Sequence, residues 1–560
     1  MGGVSRPPGF RGIFRTDDDA RGVYAEAAGI QRAIPRAVAV PTDASDVQTL
    51  ASWARETGTP LIPRGSGSSM AGGAIGDGVI VDLSRFDTVG EPDPEHGVIR
   101  VGPGALRAAV DRRARREGLR FPVDPSSGAF CTIGGMVATN AAGARSLRFG
   151  ATRAWVRALD CVFDDGSRGE IRRSSSPPYD VPAVARFERE VAPAILAAPR
   201  ADAWRRLEVC KNSSGYAVDA FARSGELVDL LVGSEGTLAM FVGVELDLLE
   251  APASTAGVLG AFASLERAAA AAVRAREVGA AACELLDRTF LEIATAGGRP
   301  LPVPLGTEAV LLAEVEGPRR DDARDAARRL GRAFNAEGAS VVSLALDSGA
   351  ETELWDLRHA ASPNLARLDP TLKSMQFIED AAVPLARLAE YLHGVREILA
   401  RHEIRGVIFG HAADAHIHVN PLVDVSRSDW RARAQRVLDE TTELVGRLGG
   451  TPSGEHGDGR MRTPLLDRVW DARAREEFRR VKRGFDPSGI LNPGVKVPLA
   501  GASPPLDGPV KYDPGLRPLP PAARRALERV ARDRAYAEFR LAMLDDGSEG
   551  RRVEGGVAEP

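Results

Sequence analysis

Cysteine is scarce in this chain of 560 residues: there are four, Cys131, Cys161, Cys210 and Cys283, widely spaced and without a CxxC pair. That spacing excludes a disulfide framework, a zinc ribbon and an iron–sulfur cluster. No apolar run approaches the ~18 residues of a membrane-spanning helix. The amino-terminal "MGGVSRPPGFRGIFRTDDDARG" also has no apolar core of signal-peptide length. A cytoplasmic protein is expected, with peripheral contact at the inner face of a membrane left open. Charge of one sign is missing too. The net charge is −4 and there is no long basic run, so nucleic acid is a poor partner on electrostatic grounds. Aromatic residues make up only 5%, whereas glycine, at 59 residues, is plentiful. Small residues let backbones approach one another, or a flat ligand, closely.

What remains is an ordinary globular composition, 44% hydrophobic and 27% charged, in a chain long enough for two to four domains. Residues 42 to 58, "TDASDVQTLASWARETG", put Val47, Leu50, Ala51 and Ala54 on one helical stripe, with Asp and Ser at the start and Gly58 at the end. Strands are predicted at "VIVDL", at 98 to 101 and at 158 to 163. The stretch 225 to 249 reads as two strands joined through a glycine turn. From about 251 the pattern changes to Ala-rich helix, strand and helix ("LERAAAAAVRAREVG", "AVLLAEVEG", "DDARDAARRLGRAF"), which suggests a second α+β domain with a helix-covered sheet. Near 500 a Pro-rich stretch reads as a linker, followed by one helix and a disordered polar tail.

Three glycine-rich segments fall within one 200-residue region. "PRGSGSSMAGG" (63 to 73) can turn successive backbone N–H groups into an anion-binding hollow without a lysine. It lacks the GK[ST] of a Walker loop, and a strand rather than a helix follows it, so a Rossmann fingerprint does not fit either. "DPSSGAFCTIGGMVATNAAG" (124 to 143) and "GSEGTL" (233 to 238) add two more. A diphosphate-containing dinucleotide lined by backbone, without a Rossmann loop, points towards flavin.

Half of the eight histidines lie in two short segments, "GHAADAHIHVNP" (410 to 421) and "SGEHGDGR" (453 to 460). "VIF" and "HIHVN" read as strands joined by a turn. Alternation in the second puts His416, His418 and Asn420 on one face. That face lines either solvent, as an exposed sheet edge, or a site. Clustered imidazoles with a Glu-His pair favour a metal site. Two histidines with one carboxylate suit Zn²⁺, and also Fe²⁺ or Mn²⁺.

"PRGSGSSMAGG", "TIGGMVATNAAG", "GSEGTL" and "DPSGILNPG" (486 to 494) resemble, in that order, the FAD-binding oxidoreductases of the vanillyl-alcohol-oxidase (PCMH) type. "GHAADAHIHVN" and "SGEHGDG" narrow the resemblance to the D-lactate, D-2-hydroxyacid dehydrogenase and glycolate oxidase branch. The resemblance implies an α+β protein. After an extension (1 to 35) it places a two-part FAD-binding domain at 36 to 250. A cap and substrate domain with an antiparallel sheet covered by helices follows at 251 to 498, with 480 to 498 returning to the flavin. It assigns Pro63, Arg64, Gly65, Ser66, Gly67, Ser68, Ser69 and Gly72 to the FAD diphosphate. The rest of the flavin site falls to Asp124, Pro125, Ser126, Thr132, Gly134, Gly135, Thr139, Asn140, Gly143, Glu235, Gly236, Thr237 and Asn492. Relatives with covalent flavin carry His where this chain has Ser68, so FAD is expected to be non-covalent.

The same resemblance makes His411, His418 and Glu455 metal ligands and His456 the proton-abstracting base. Asn420 becomes a substrate contact and Arg358 the binder of the substrate carboxylate, with Ser362 nearby. His416 departs from the family, where Asn is usual. It is open to three roles: a fourth ligand, a group behind the ligands, or an accommodation to another substrate. Some relatives selective for longer acids carry a lysine around Ile378, absent here. The implied reaction oxidises a D-2-hydroxy acid, D-lactate-like, to the 2-oxo acid. The proton goes to His456 with metal assistance, and hydride goes to flavin N5. The electron acceptor is left open among a quinone, a cytochrome and an electron-transfer flavoprotein, and a homodimer is one assembly the sequence admits. Two alternatives stand beside this reading. One is a non-redox flavoenzyme like alkylglycerone-phosphate synthase; the other is a metal-dependent hydrolase or lyase without flavin.

Overall fold

The computed structural model describes residues 4–198, 204, 206, 208–295, 303–359, 370–533 and 537–545. The amino-terminal half holds two four-stranded sheets. In the first, Ala37–Val40, Val79–Asp82 and Leu61–Arg64 run parallel, and Ile13–Arg15 pairs antiparallel with Ala37–Val40 at the edge. All three parallel strands are almost wholly buried, as expected where both faces are covered. One cover is the helix Ala44–Thr57. Asp43 caps it by accepting from the N–H of Asp46, and Gly58 ends it in the left-handed region at φ +66°. Its predicted stripe, Val47, Leu50, Ala51 and Ala54, is fully buried against the sheet.

The second sheet runs Val98–Val101, Met240–Asp247, Val156–Val162, Arg168–Arg172, all antiparallel. Here one expectation fails. The first of the two strands expected between 225 and 249 is a helix, Leu227–Leu231. Every residue of "LVDLL" is buried. A short apolar run buried on all sides carries no period that distinguishes strand from helix.

The carboxy-terminal half is built on one large antiparallel sheet. Its order is Val341–Ala345, Ser254–Phe262, Ala309–Gly317, Ala282–Asp287, Arg405–His411, His416–Asp424, Leu372–Ser374, and Ala381–Ala382 also pairs with His416–Asp424. The helices Leu265–Val278, Arg320–Ala336, Leu388–Arg401 and Trp430–Arg447 bury their apolar stripes in one core beneath it. The expected α+β architecture is therefore present: a two-part flavin-type domain and a helix-covered antiparallel sheet.

The expectation for the carboxy-terminal segment needs correction. The single helix is two, Pro521–Asp533 and Glu538–Asp545, and the Pro-rich stretch does not act as a free linker. Both pack back onto the first sheet. Leu519, Ala523 and Leu544 join the core made by Val23, Tyr24, Val38, Ile62 and Ile80. A Cβ on Gly22 would lie 2.9 Å from the Ala523 Cβ, so the close approach needs glycine there. Arg85 Nη2 donates to both carboxylate oxygens of Asp545, at 2.6 and 2.8 Å. The tail expected to be disordered, 546 to 560, lies outside the described residues, as does Ser362.

A cavity joining the glycine loops to a histidine–carboxylate cluster

A cavity of about 940 Å³ runs between the two halves. One end is walled by the loop from Pro63 to Ser69, by Pro125 and Ser126, by Thr132, Gly134, Gly135 and Thr139, and by Glu235 and Gly236. The other end is walled by Arg358, His411, His418, Asn420, Glu455 and His456. Residues some 390 positions apart in sequence thus share one space.

At the glycine end the backbone is arranged for an anion. Among the described residues, no N–H from Gly65 to Gly73 donates to a backbone carbonyl, although the carbonyls of Gly67 and Ser69 accept from Ala28 and Gly29. Successive N–H groups without a backbone acceptor suit a diphosphate. Gly65 is required by packing, since a Cβ there would meet the Thr132 hydroxyl at 2.2 Å. Thr132 in turn caps the short helix Ile133–Thr139 by accepting from the N–H of Gly135. The structure therefore fits the FAD expected from the loops.

Six of the residues assigned to flavin stand behind this wall. Gly72 packs its Cα face against Gln31. The Asp124 carboxylate pairs with Arg145, and Gly143 lies against the Asp124 backbone. Asn140, left-handed at φ +52°, accepts from the N–H of Arg153. Thr237 hydrogen-bonds Tyr216 at 2.7 Å. Asn492 donates to the carbonyls of Gly73 and Glu235, at 2.9 and 2.8 Å, and accepts from Arg460. These six shape the loops rather than line the cavity.

At the other end the hairpin register does the assembly. His411 pairs with His416 and Phe409 with His418, across a turn closed by Ala415 at φ +50°. The strand His416–Asp424 lies inside the sheet, so the polar face predicted from alternation lines a site and is not an exposed edge. His418 and Asn420 face the cavity. His416, fully buried, does not.

The ring nitrogens divide cleanly. His411 Nδ1 donates to Glu284, and His418 Nδ1 donates to the Glu379 carbonyl at 2.5 Å. Their Nε2 atoms converge on one oxygen, Glu455 Oε1, at 3.3 and 3.7 Å. Histidines oriented by acceptors at one nitrogen, with the other turned to a shared carboxylate, could hold a divalent cation. Ligand atoms of His411, His416, His418 and Glu455 all lie within 4.8 Å of one another. His416, however, has partners at both nitrogens: Asp380 at 2.8 Å and the ammonium of Lys211 at 3.3 Å.

The electrostatics follow from the packing. Burial would raise the Glu455 carboxyl, but Lys211 and His411 outweigh it and hold it well below the usual carboxylate range. Burial and the neighbouring imidazoles of His416 and His411 keep His418 well below its ordinary value, hence neutral. Burial opposes charge on His411, yet Glu284 lifts it to about 9. His456 stacks on His418 with ring centroids 5.4 Å apart. Its Nδ1 lies 3.3 Å from Glu379 Oε1, and against the pull of burial Asp380 and Glu379 lift it to about 9. A divalent cation beside it would push that value back down.

Four residues that sequence reasoning gave no role complete the cluster. Asp380 accepts from His416, from the hydroxyl of Ser453 and from the N–H groups of Glu455 and His456, tying the 453–456 loop to the histidine strand. Arg462 ion-pairs with Glu379 and lies 3.4 Å from Asp380. Lys211 reaches Glu455 Oε2 at 3.1 Å. Glu284 accepts from Arg358 Nε at 2.8 Å while holding His411, and the Arg358 guanidinium lies 4.7 Å from the Phe409 ring centre. The "KNSSGY" run that carries Lys211 was a detectable polar signal, but nothing in its spacing tied it to Glu455. Lys373 adds a further cation to the cavity wall, five positions before Ile378.

Comparison with known proteins agrees with this division. The FAD binding domain family matches residues 35–172, and the family of FAD linked oxidases, C-terminal domain, matches 251–495. Glycolate oxidase subunit GlcD of Bacillus subtilis is 28% identical over 498 residues, 88% of this chain and 94% of that one. D-lactate dehydrogenase of Archaeoglobus fulgidus is 28% identical over 463 residues, 82% of this chain and 91% of that one. A solved structure of alkyldihydroxyacetonephosphate synthase superposes with a TM-score of 0.58 at 14% identity, covering 86% of this chain and 83% of that one. At that identity the likeness is one of fold.

Proposed function

Because the chain belongs to the FAD-linked oxidoreductases that include glycolate oxidase subunits and D-lactate dehydrogenases, we propose that it oxidises a D-2-hydroxy acid to the 2-oxo acid. The observation that carries this reading is the shared cavity, in which Arg358, His456 and the convergent Nε2 atoms of His411 and His418 face the space that begins at the glycine loops. When bound, FAD supplies the hydride acceptor, and a divalent metal (Zn, with Mn or Fe as alternatives) supplies Lewis acidity towards the substrate hydroxyl.

The chain's own residues supply the rest. Arg358, steadied through Nε by Glu284, presents a guanidinium fork suited to a carboxylate. The Asn420 amide lies on the same wall and offers a donor and an acceptor to the substrate oxygens. His411, His418 and Glu455 would hold the metal. His456, with Nδ1 directed at Glu379, keeps Nε2 for the hydroxyl proton. Glu379 and Asp380 then stabilise the imidazolium that forms, as their effect on this imidazole indicates.

The non-redox alternative has the fold likeness in its favour and no residue-level observation. A flavin-free hydrolase would leave the unpaired N–H groups of Gly65 to Gly73 without a purpose. The test is anaerobic. The purified protein is mixed with paired D- and L-2-hydroxy acids while flavin absorbance is followed. Bleaching by a D acid, and none by its enantiomer, is expected. A colourless protein, or a flavin that no 2-hydroxy acid reduces, would remove the proposal.

A further inference from the structure

Arg540 lies in the last described helix, Glu538–Asp545, beyond the segment matched by either family, yet it is 1% exposed and lines the cavity beside the glycine loop. Its Nη2 donates to the carbonyl of Ser66, and its buried Nε has no hydrogen-bond partner. A second guanidinium is close by. Arg64, 2% exposed, donates to the carbonyls of Tyr24, Glu26 and Ala74, and its Nε is also without a partner. Both guanidinium carbons sit over the same Tyr24 ring, at 5.2 and 5.5 Å from its centre.

Among the described residues neither arginine has a carboxylate in ion-pair range. The carboxylate nearest in this cluster, Asp82, receives the Tyr24 hydroxyl at 2.6 Å and the N–H of Ser84 at 2.8 Å. Two buried cations that share a ring and have no carboxylate in ion-pair contact repel each other at low dielectric, which is costly unless an anion joins them. Burial, and the Arg540 charge next, drag Arg64 down to about 9. Gly65, Ser66, Gly67, Ser68 and Ser69, whose N–H groups have no backbone acceptor, line the same cavity.

We propose that Arg540 is a diphosphate-binding residue for FAD, delivered by a carboxy-terminal arm that forms an extra wall of the flavin site. The inference rests on the FAD reading and adds a residue and an element to it. The arm is anchored for this task. Ala523 and Leu544 are in the sheet core, Asp545 grips Arg85, and Arg529 lies 3.9 Å over Phe539 to join the two helices. Lys511 and Tyr512 line the cavity from the same segment, and Lys511 Nζ donates to the Ala28 carbonyl at 3.0 Å.

The test uses full-length protein stripped of flavin and titrated with FAD, ADP and riboflavin, in wild type, Arg540→Gln and Arg540→Lys. Losing a charge-assisted contact to phosphate weakens FAD and ADP binding to R540Q by about 10- to 100-fold. Riboflavin, which has no phosphate, binds within about twofold of wild type. R540K recovers part of the loss, because the charge returns without the fork. If R540Q does not fold, the FAD-to-riboflavin ratio in R540K still decides the matter. Equal FAD and ADP affinity in wild type and variants would overturn the proposal and leave the family reading intact. A loss shared equally by riboflavin would overturn it as merely structural. A wild type that binds no flavin at all would overturn the FAD reading and this inference with it.

Discussion

Glu284 stands directly opposite His411 in neighbouring strands, and its carboxylate receives the Nδ1–H of that imidazole while also receiving Nε of Arg358. One acidic side chain in the sheet thus orients both the proposed ligand and the proposed carboxylate binder. Its own carboxyl is held far below the usual range, since His411 and Arg358 outweigh the effect of burial.

Glu284→Gln should therefore impair two properties together. Metal affinity should fall about 10- to 100-fold, as is typical when the acceptor behind a ligating histidine is weakened. KM for the hydroxy acid should rise as well. Metal content by atomic emission, measured beside steady-state kinetics, checks both; a change in only one would break the link drawn through Glu284.

Arg358→Met should raise KM about 30- to 900-fold, reflecting a lost bidentate contact of roughly 2 to 4 kcal/mol. Flavin content should not change, because Arg358 makes its contacts in the carboxy-terminal half, with Glu284 and Phe409. Arg358→Lys should restore only part, since an ammonium cannot match two carboxylate oxygens at once.

His416 and His418 should behave differently despite sharing a strand face. His418→Ala should abolish stoichiometric metal, whereas His416→Asn should retain it, because both His416 nitrogens already have protein partners in Asp380 and Lys211. Equilibrium dialysis against Zn²⁺ and Mn²⁺ separates the two. Loss of metal in both variants would make His416 a ligand.

Asp287 provides a pH dependence away from the site. Its carboxylate accepts the N–H groups of Phe290 and Ile408, but burial dominates and pushes it up to about 7. The folded state therefore holds this proton where the unfolded chain, with its carboxyl near 3.8, has released it. Between about pH 4 and 7 folding binds more protons than unfolding does, so this group makes stability fall as pH rises. The full effect is at most about 4 kcal/mol. Asp287→Asn should gain melting temperature relative to wild type from pH 4 to pH 8; a constant difference would contradict the assignment.

Much of the site was legible because its elements are short-range. The helix over 44 to 57 announces itself by period and by its Asp and Gly ends, and strand alternation alone puts His418 and Asn420 on one face. The failures are equally specific. "LVDLL" is buried on every side, so it shows no period. The arm carrying Arg540 looks polar because its helices have narrow apolar stripes. What they pack on, the Tyr24 side of the first sheet, is some 500 residues away.

Chemistry-bearing residue types, loop backbones and strand alternation are local properties, and the amino-acid order determined them unaided: a flavin-type glycine cradle and a strand that puts His416, His418 and Asn420 on one face. Which residues stand behind them was decided by tertiary structure alone. Glu284, Asp380, Lys211 and Arg540 reach the site from separate elements, and each is recognisable only by its contacts. A charged side chain has no periodicity, and its role is set by whichever group the fold buries against it.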